Sequence, residues 1–192
     1  MENKVKLGYW GIRGRGQVPR LLLAYTNALW EDVHYTAPTQ WFGADKEKLG
    51  FDFPNLPYII DGDVKITETQ AICAYIVMRA GEKHRALAGS SVVDMAKVQM
   101  VGGVVGEVIG KMAELLYTDQ FEKRDEIFKE KLAPKLDLIA KFVGDKDWAM
   151  GYLTVVDFWI TEGSYYVEKV FEAEYKKYGF FQRIREKFEA LP

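Results

Sequence analysis

Asp61-Gly62 lies between two apolar runs in Pro57-Tyr-Ile-Ile-Asp-Gly-Asp-Val-Lys-Ile66, and this stretch constrains the fold more than any other. An Asp-Gly pair supplies the positive φ that a tight hairpin turn requires, so the flanking runs read as antiparallel strands. Upstream, Val5 to Trp10 alternates weakly and enters a Gly-rich turn, a first strand leading into a helix that starts near Gly14. Leu21, Leu22, Leu23 and Tyr25 form the expected buried face of that helix. Glu31 to Tyr35 reads as a second strand, and Gln40 to Leu49 as an irregular or briefly helical connection. After the hairpin, Glu68 to Arg79 is a predicted helix with Thr67 as its N-cap.

The strand signals stop there. Gly81 to Ser90 turns small and charged, and four long amphipathic segments follow: Val92 to Tyr117, Arg124 to Val143, Val155 to Val170 and Tyr175 to Phe188. Strands first and helices second predict an α+β fold, with one domain over 1–81 and an all-helical one over 90–192. In the second, Trp148 reads as a core anchor, and Thr154-Val-Val-Asp157 as a capping box stapled by Leu153 and Phe158.

Composition narrows the function classes. The 192 residues are 48% hydrophobic and 28% charged, the make-up of a globular protein, and the net charge of −2 provides no basic field for a nucleic acid. A small-molecule partner is expected instead. The longest nearly apolar stretch, Val98 to Gly110, is interrupted by Gln99 and Glu107, and Met-Glu-Asn-Lys at the start has no hydrophobic signal core. The expected location is the cytoplasm, with no membrane partner. Cys73 is the single cysteine, set among Ala71, Ile72, Tyr75 and Ile76, so it reads as a small core hydrophobe. It excludes an internal disulfide and a Cys-x-x-Cys motif, and no cysteine stands near the first helix start for thioredoxin-type redox chemistry. His34 and His84 lack metal-ligand spacing, so no metal is expected. Gly14-Arg-Gly16 is an incomplete dinucleotide loop, with Pro19 where a third glycine belongs.

Leu7-Gly-Tyr-Trp-Gly-Ile-Arg-Gly14 resembles the opening signature of the mu-class cytosolic glutathione transferases. Four further blocks match in order: Leu49 to Tyr58, Ile66 to Ile72, Tyr117 to Lys123, and Leu153 to Phe158. The resemblance covers essentially the whole chain. It implies a thioredoxin-like N-terminal domain that binds glutathione and an all-α C-terminal domain that contributes the electrophile pocket. It further implies a homodimer that uses glutathione as co-substrate and conjugates its thiolate to small hydrophobic electrophiles.

A free thiol ionises near pH 8.5, so such an enzyme must stabilise the thiolate. The resemblance gives that task to Tyr9, whose hydroxyl stays protonated and donates to the sulfur. For the rest of glutathione it implies Trp10 as a wall, and Asn55 and Leu56, before a cis Pro57, along the cysteinyl backbone. Trp41, Lys46 and Asn55 match the glycyl-carboxylate positions. Alignment across the preceding loop is ambiguous by about one residue, which brings Phe42 and Lys48 in as rivals to Trp41 and Lys46. Glu68 and Thr69 match the γ-glutamyl end, where a helix start favours a carboxylate. Glu107 matches an acid that approaches from the other subunit, and Gly110, Ala113 and Tyr117 match positions facing the electrophile. Phe53 matches an aromatic key that enters the partner subunit.

Gly102, Gly103, Gly106 and Gly110 share one helix, at a cost of roughly 0.5–1 kcal/mol each relative to alanine, which asks for compensation. Close packing is the reading for Gly102 and Gly103, and room for the electrophile for Gly110. Two departures from the mu pattern stand out. Only Thr-Ala-Pro-Thr-Gln separates Tyr35 from Trp41, so Pro38 or Thr39 falls where a glutathione-holding arginine belongs. The sequence also ends at Leu191-Pro192, before the tail that in the family walls the electrophile pocket. The alternative is a non-enzymatic relative, a structural protein or a carrier of hydrophobic ligands.

Overall fold

A computed structural model describes residues 4–192. The chain divides into two compact units, Met1–Arg85 and Ala86–Pro192. In the first, β1 (Val5–Trp10), α1 (Gln17–Tyr25), β2 (Trp30–Tyr35), β3 (Tyr58–Asp61), β4 (Val64–Thr67) and α2 (Thr69–Arg79) follow in chain order. The sheet runs β2-β1-β3-β4. β1 and β2 are parallel, as a helical crossover demands, and β3 is antiparallel to both β1 and β4. This is the expected thioredoxin-like arrangement.

The hairpin forms where the sequence places it, with Asp61 opposite Val64 and Gly62 at φ 60°. Asp61 also accepts from the Tyr75 hydroxyl at 2.8 Å and from Arg79 Nε, which ties the hairpin to α2. α2 packs against α1, and Val5, Leu7, Leu22, Leu23, Ile59, Ile72 and Ile76 are buried. The cap differs from expectation. Thr67 closes β4 and donates its hydroxyl to Phe53 O at 2.8 Å, so Glu68 takes the N-cap position.

The connection after β2 is more ordered than its composition suggests. Gln40 Oε1 accepts from Thr36 N at 2.7 Å, Thr36 Oγ1 at 3.2 Å and Ala37 N at 3.0 Å, which closes the short loop. Single helical turns at Pro38–Gln40 and Lys46–Lys48 then flank a π-helical turn, Trp41–Asp45.

The described residues of the second unit hold helices and no strand. These are α3 (Val92–Tyr117), α4 (Arg124–Ile127), α5 (Ala133–Val143), α6 (Val155–Val170), α7 (Glu172–Tyr175) and α8 (Gly179–Glu189). The predicted Arg124–Val143 helix is interrupted by a π turn at Phe128–Leu132. Pro134 explains it: proline has no N–H for an i→i−4 bond and its ring crowds the carbonyl four residues back, so the preceding turn widens. The predicted Tyr175–Phe188 helix begins only at Gly179, because α7 closes through bonds from Lys177 N to Glu174 O and Tyr178 N to Tyr175 O.

Trp148 packs on the helical core, as expected. Asp157 is fully buried; its carboxylate accepts from Thr154 N at 2.8 Å, Thr154 Oγ1 at 3.2 Å and Ala149 N at 2.7 Å. The aspartate therefore caps α6 and also fastens the 149–154 loop. Burial pushes its pKa up to about 6 against the pull of these donors.

Candidate functional site

β1 delivers Tyr9 to the end of the sheet beside the start of the first helix. The side chain is buried, and its hydroxyl accepts the Arg15 N–H at 3.0 Å. Two glycines make this seat. A Cβ on Gly14 would stand 2.7 Å from the Tyr9 hydroxyl, and one on Gly16 only 2.5 Å from the ring. Gly8, paired with Tyr58 across β1 and β3, has that ring where its Cβ would be. A backbone N–H at the head of a helix that engages an oxygen lone pair polarises the phenol as a donor. The other tyrosines of the cluster are committed to each other. Tyr35 donates to Asp45 Oδ2 at 2.6 Å and lies 3.1 Å from the Tyr58 hydroxyl. Burial first, then the Asp45 hydrogen bond, pushes the Tyr35 phenol up, and burial does the same to Tyr58.

Because Gly8 is opposite Tyr58, the segment entering β3 comes up beside Tyr9. Its Leu56-Pro57 bond is cis. Asn55 ties this segment to α2: its side chain accepts the Leu56 N–H at 2.9 Å and donates to Glu68 Oε1 at 3.0 Å. The Leu56 amide is thus covered by Asn55, which also stands beside Glu68 at the start of α2. Glu68 has φ 67° and ψ 117°, a conformation that costs a residue with a side chain of order 1–3 kcal/mol. It turns the chain so that α2 begins at Thr69 with its first N–H groups unclaimed by the helix.

Trp41 does not face this surface. It is 2% exposed, stacks on Tyr58 at 6.0 Å and meets Tyr35 edge-on at 5.5 Å, so its ring is packed in the aromatic cluster of the first unit. The π-helical turn explains the one-residue ambiguity seen in the sequence. A π turn accommodates one more residue than an α turn, and here the pair divides, with Trp41 inward and Phe42 61% exposed. Phe42 lies 6.2 Å from Trp10, and Lys46 Nζ is 5.5 Å from its ring centre. Trp10, Phe42 and Lys46 therefore form one group, an aromatic pair with a cation over it.

In the second unit, Glu107, Gly110, Ala113 and Tyr117 lie along one side of α3. Glu107 is exposed and paired with Lys135 of α5, Gly110 is open, and Tyr117 is 68% exposed. Gly102 and Gly103 have nothing within 4 Å of a built Cβ, so close packing inside the chain is not their reason. The close approach falls instead at Gly163 of α6, whose Cβ would lie 3.4 Å from Ile109.

Residues 5–78 match the glutathione S-transferase N-terminal domain family. Glutathione S-transferase 2 of Gallus gallus is 40% identical over 162 residues, which span 80% of this chain and 71% of that protein. Glutathione S-transferase Mu 1 of Bos taurus is 41% identical over 160 residues, 79% of this chain and 71% of the relative. The chain belongs to the glutathione S-transferase family. Its curated relatives are of the mu class, as the opening motif implies. Two solved structures share the fold. Rat hPGDS complexed with a quinoline has TM-score 0.82 at 23% identity, over 98% of this chain and 92% of that one. The Onchocerca volvulus pi-class glutathione S-transferase has TM-score 0.84 at 19% identity, over 97% and 88%.

Glutathione S-transferases are transferases with glutathione as co-substrate, and this member has no rival thiol of its own at the surface. Cys73 is buried and its thiol is pushed up by burial, far from the acidity of a nucleophile. Among the described residues no group of His, Cys, Asp and Glu is arranged to hold a metal, and no helix is long and apolar enough to cross a membrane. Sequence reasoning missed the contact of Asn55 with Glu68, the room that Gly16 leaves for Tyr9 and Gly8 for Tyr58, and Arg20, whose fork reaches β2 and the chain at the end of β1. Asn55 and Glu68 are thirteen residues apart, and no local pattern announces their meeting.

Proposed function

We propose that this transferase conjugates the thiolate of glutathione to small hydrophobic electrophiles, with Tyr9 as the hydrogen-bond donor to the sulfur. The observation that carries this reading is the Tyr9 hydroxyl at the head of the first helix, engaged by the Arg15 amide, at the sheet end where the cis Leu56-Pro57 segment enters β3. A thiolate placed there meets an oriented O–H, which stabilises the anion without taking up its proton. The electrophile loses its leaving group, or takes a proton at the adjacent carbon, as the carbon–sulfur bond forms.

Around that sulfur, Leu56 pairs with the cysteinyl backbone once Asn55 yields the amide, as an added strand would. The γ-glutamyl carboxylate lies on the first N–H groups of α2 with Thr69, and Glu68 and Asn55 take its amine. Lys46 binds the glycyl carboxylate beside Trp10 and Phe42. Gly110, Ala113 and Tyr117 face the electrophile, and Tyr117 donates to an oxyanion of the forming adduct.

The working species is a cytoplasmic homodimer. Phe53, 78% exposed, is its key, and the open glycines of α3 with exposed Val92, Val93 and Met100 supply a surface suited to a second copy. Glu107 of the partner subunit then joins the γ-glutamyl amine. Retention on immobilised glutathione, followed by conjugation of chlorodinitrobenzene by the eluate, tests the function. Retention without conjugation would favour the non-enzymatic carrier, and failure of both would remove the glutathione site.

A further inference from the structure

Arg20, in α1, commits all three guanidinium nitrogens to the surroundings of Tyr9. Nε donates to Asp32 Oδ2 on β2 at 2.8 Å, Nη1 to Ile12 O at 2.6 Å, and Nη2 to Trp10 O at 3.2 Å. The guanidinium carbon is also 5.9 Å from the Tyr9 ring centre, within cation–π reach. Its side chain is only 12% exposed, and the bonds to Asp32 and Trp10 are partly buried while the one to Ile12 O is open to water. Asp32 is held in turn by His34 Nε2, 2.7 Å from the same oxygen, while Oδ1 is buried without a partner.

Trp10 and Ile12 bracket the first residue of the turn between β1 and the helix. The other end of that turn carries the Arg15 N–H that meets the Tyr9 hydroxyl. The turn is rich in glycine and has little stiffness of its own. A rigid planar fork that reaches two of its carbonyls and a neighbouring strand supplies what the glycines lack. We propose that Arg20 is the positioning residue of the Tyr9 hydroxyl: anchored on Asp32, it fixes the turn whose Arg15 amide aims the donor at the thiolate. This inference rests on the reading of Tyr9 as thiolate donor. Lysine does not replace the fork, because its ammonium is a single point and cannot span three separate acceptors.

The test is a double-mutant cycle on full-length protein, read as the spectroscopic titration midpoint of bound glutathione's thiol, with kcat and the denaturant midpoint measured alongside. Arg20→Lys should raise the thiol midpoint by about one pH unit and lower kcat on the order of tenfold. In the Tyr9→Phe background the same substitution should add no further shift. An unchanged midpoint in Arg20→Lys, with Tyr9→Phe still shifted, overturns the positioning role and leaves the Tyr9 reading intact. An unchanged midpoint in Tyr9→Phe overturns that reading and this inference together. Equal shifts from Arg20→Lys in both backgrounds would show that the guanidinium does not act through Tyr9, which also overturns it. Should Arg20→Lys fail to fold, Asp32→Asn loosens the anchor with Arg20 in place. It should give a smaller shift of the same sign that is again absent without the Tyr9 hydroxyl, and no shift overturns the proposal.

Discussion

The side-chain amide of Asn55 donates to the Glu68 carboxylate at 3.0 Å while its oxygen accepts the Leu56 N–H at 2.9 Å, so one residue ties the cis Leu56-Pro57 segment to the start of α2. Asn55→Ala should raise KM for glutathione by about tenfold, the loss of one or two hydrogen bonds, with kcat little changed. Glu68→Gly should separate stability from binding. Glycine relieves the positive φ, so the denaturant midpoint should hold or rise, while affinity for glutathione falls. Equilibrium unfolding and glutathione titration on the same preparation decide it.

Tyr9→Phe should retain glutathione affinity and lose turnover by about 10²–10³-fold, the effect of removing one oriented donor from a developing anion. The bound thiol should titrate at higher pH in the variant. If it titrates as in wild type, Tyr9 has no part in the ionisation.

Trp41→Phe should cost stability, on the order of 1–2 kcal/mol for lost volume in a packed cluster, and leave KM for glutathione near wild type. Lys46→Met should do the reverse. A KM that rises with Trp41→Phe and not with Lys46→Met would assign the glycyl end to the indole and not to the lysine.

Asp157→Ala should lower stability by roughly 0.5–2 kcal/mol at neutral pH without altering glutathione affinity, because the buried carboxylate is spent on capping α6 and fastening the 149–154 loop. The pH dependence has a definite sign. With its folded pKa raised to about 6, Asp157 binds a proton more readily in the folded than in the unfolded chain. The stabilisation that its protonation adds is therefore complete below the unfolded value near 4 and is lost as pH rises through 6, leaving the cap's hydrogen bonds at neutral pH. Wild type should gain about 1 kcal/mol over Asp157→Asn between pH 7 and pH 5, measured by denaturant unfolding at both.

Phe53→Ser should weaken association, since a buried aromatic anchor carries about 2 kcal/mol or more at an interface. Sedimentation should show monomers at concentrations where wild type is dimeric, with activity falling in parallel. Glu107→Gln should leave the dimer intact and weaken glutathione binding. A fully active Phe53→Ser monomer would make Phe53 an ordinary surface residue and end the shared-site reading.

What the sequence disclosed was local chemistry. Asp61-Gly62 announced a hairpin because its turn depends on two residues, and Thr154 with Asp157 announced a cap because the partners lie one helical turn apart. The positions that escaped depend on distant neighbours or on backbone strain. Trp41 and Phe42 are equivalent in composition, and only a π turn packed against Tyr35 and Tyr58 decides which faces inward. Thr67 looks the better cap than Glu68, yet its hydroxyl is drawn to Phe53 O fourteen residues back. Pro134 was visible in the sequence, but a regular amphipathic period across it concealed the widened turn before it.

The burial of Cys73 bears on the enzyme's own survival. A protein that gathers alkylating agents beside an activated sulfur risks being alkylated by them. The chain's single sulfhydryl is 3% exposed and disfavoured as an anion, so it competes poorly with the tripeptide for any reagent. Intact-mass measurement after incubation with iodoacetamide should find the native chain unlabelled and the unfolded chain carrying one adduct. Seclusion of this sulfhydryl lets the catalyst be recycled through many reactive molecules while the consumable nucleophile arrives and leaves with each turnover.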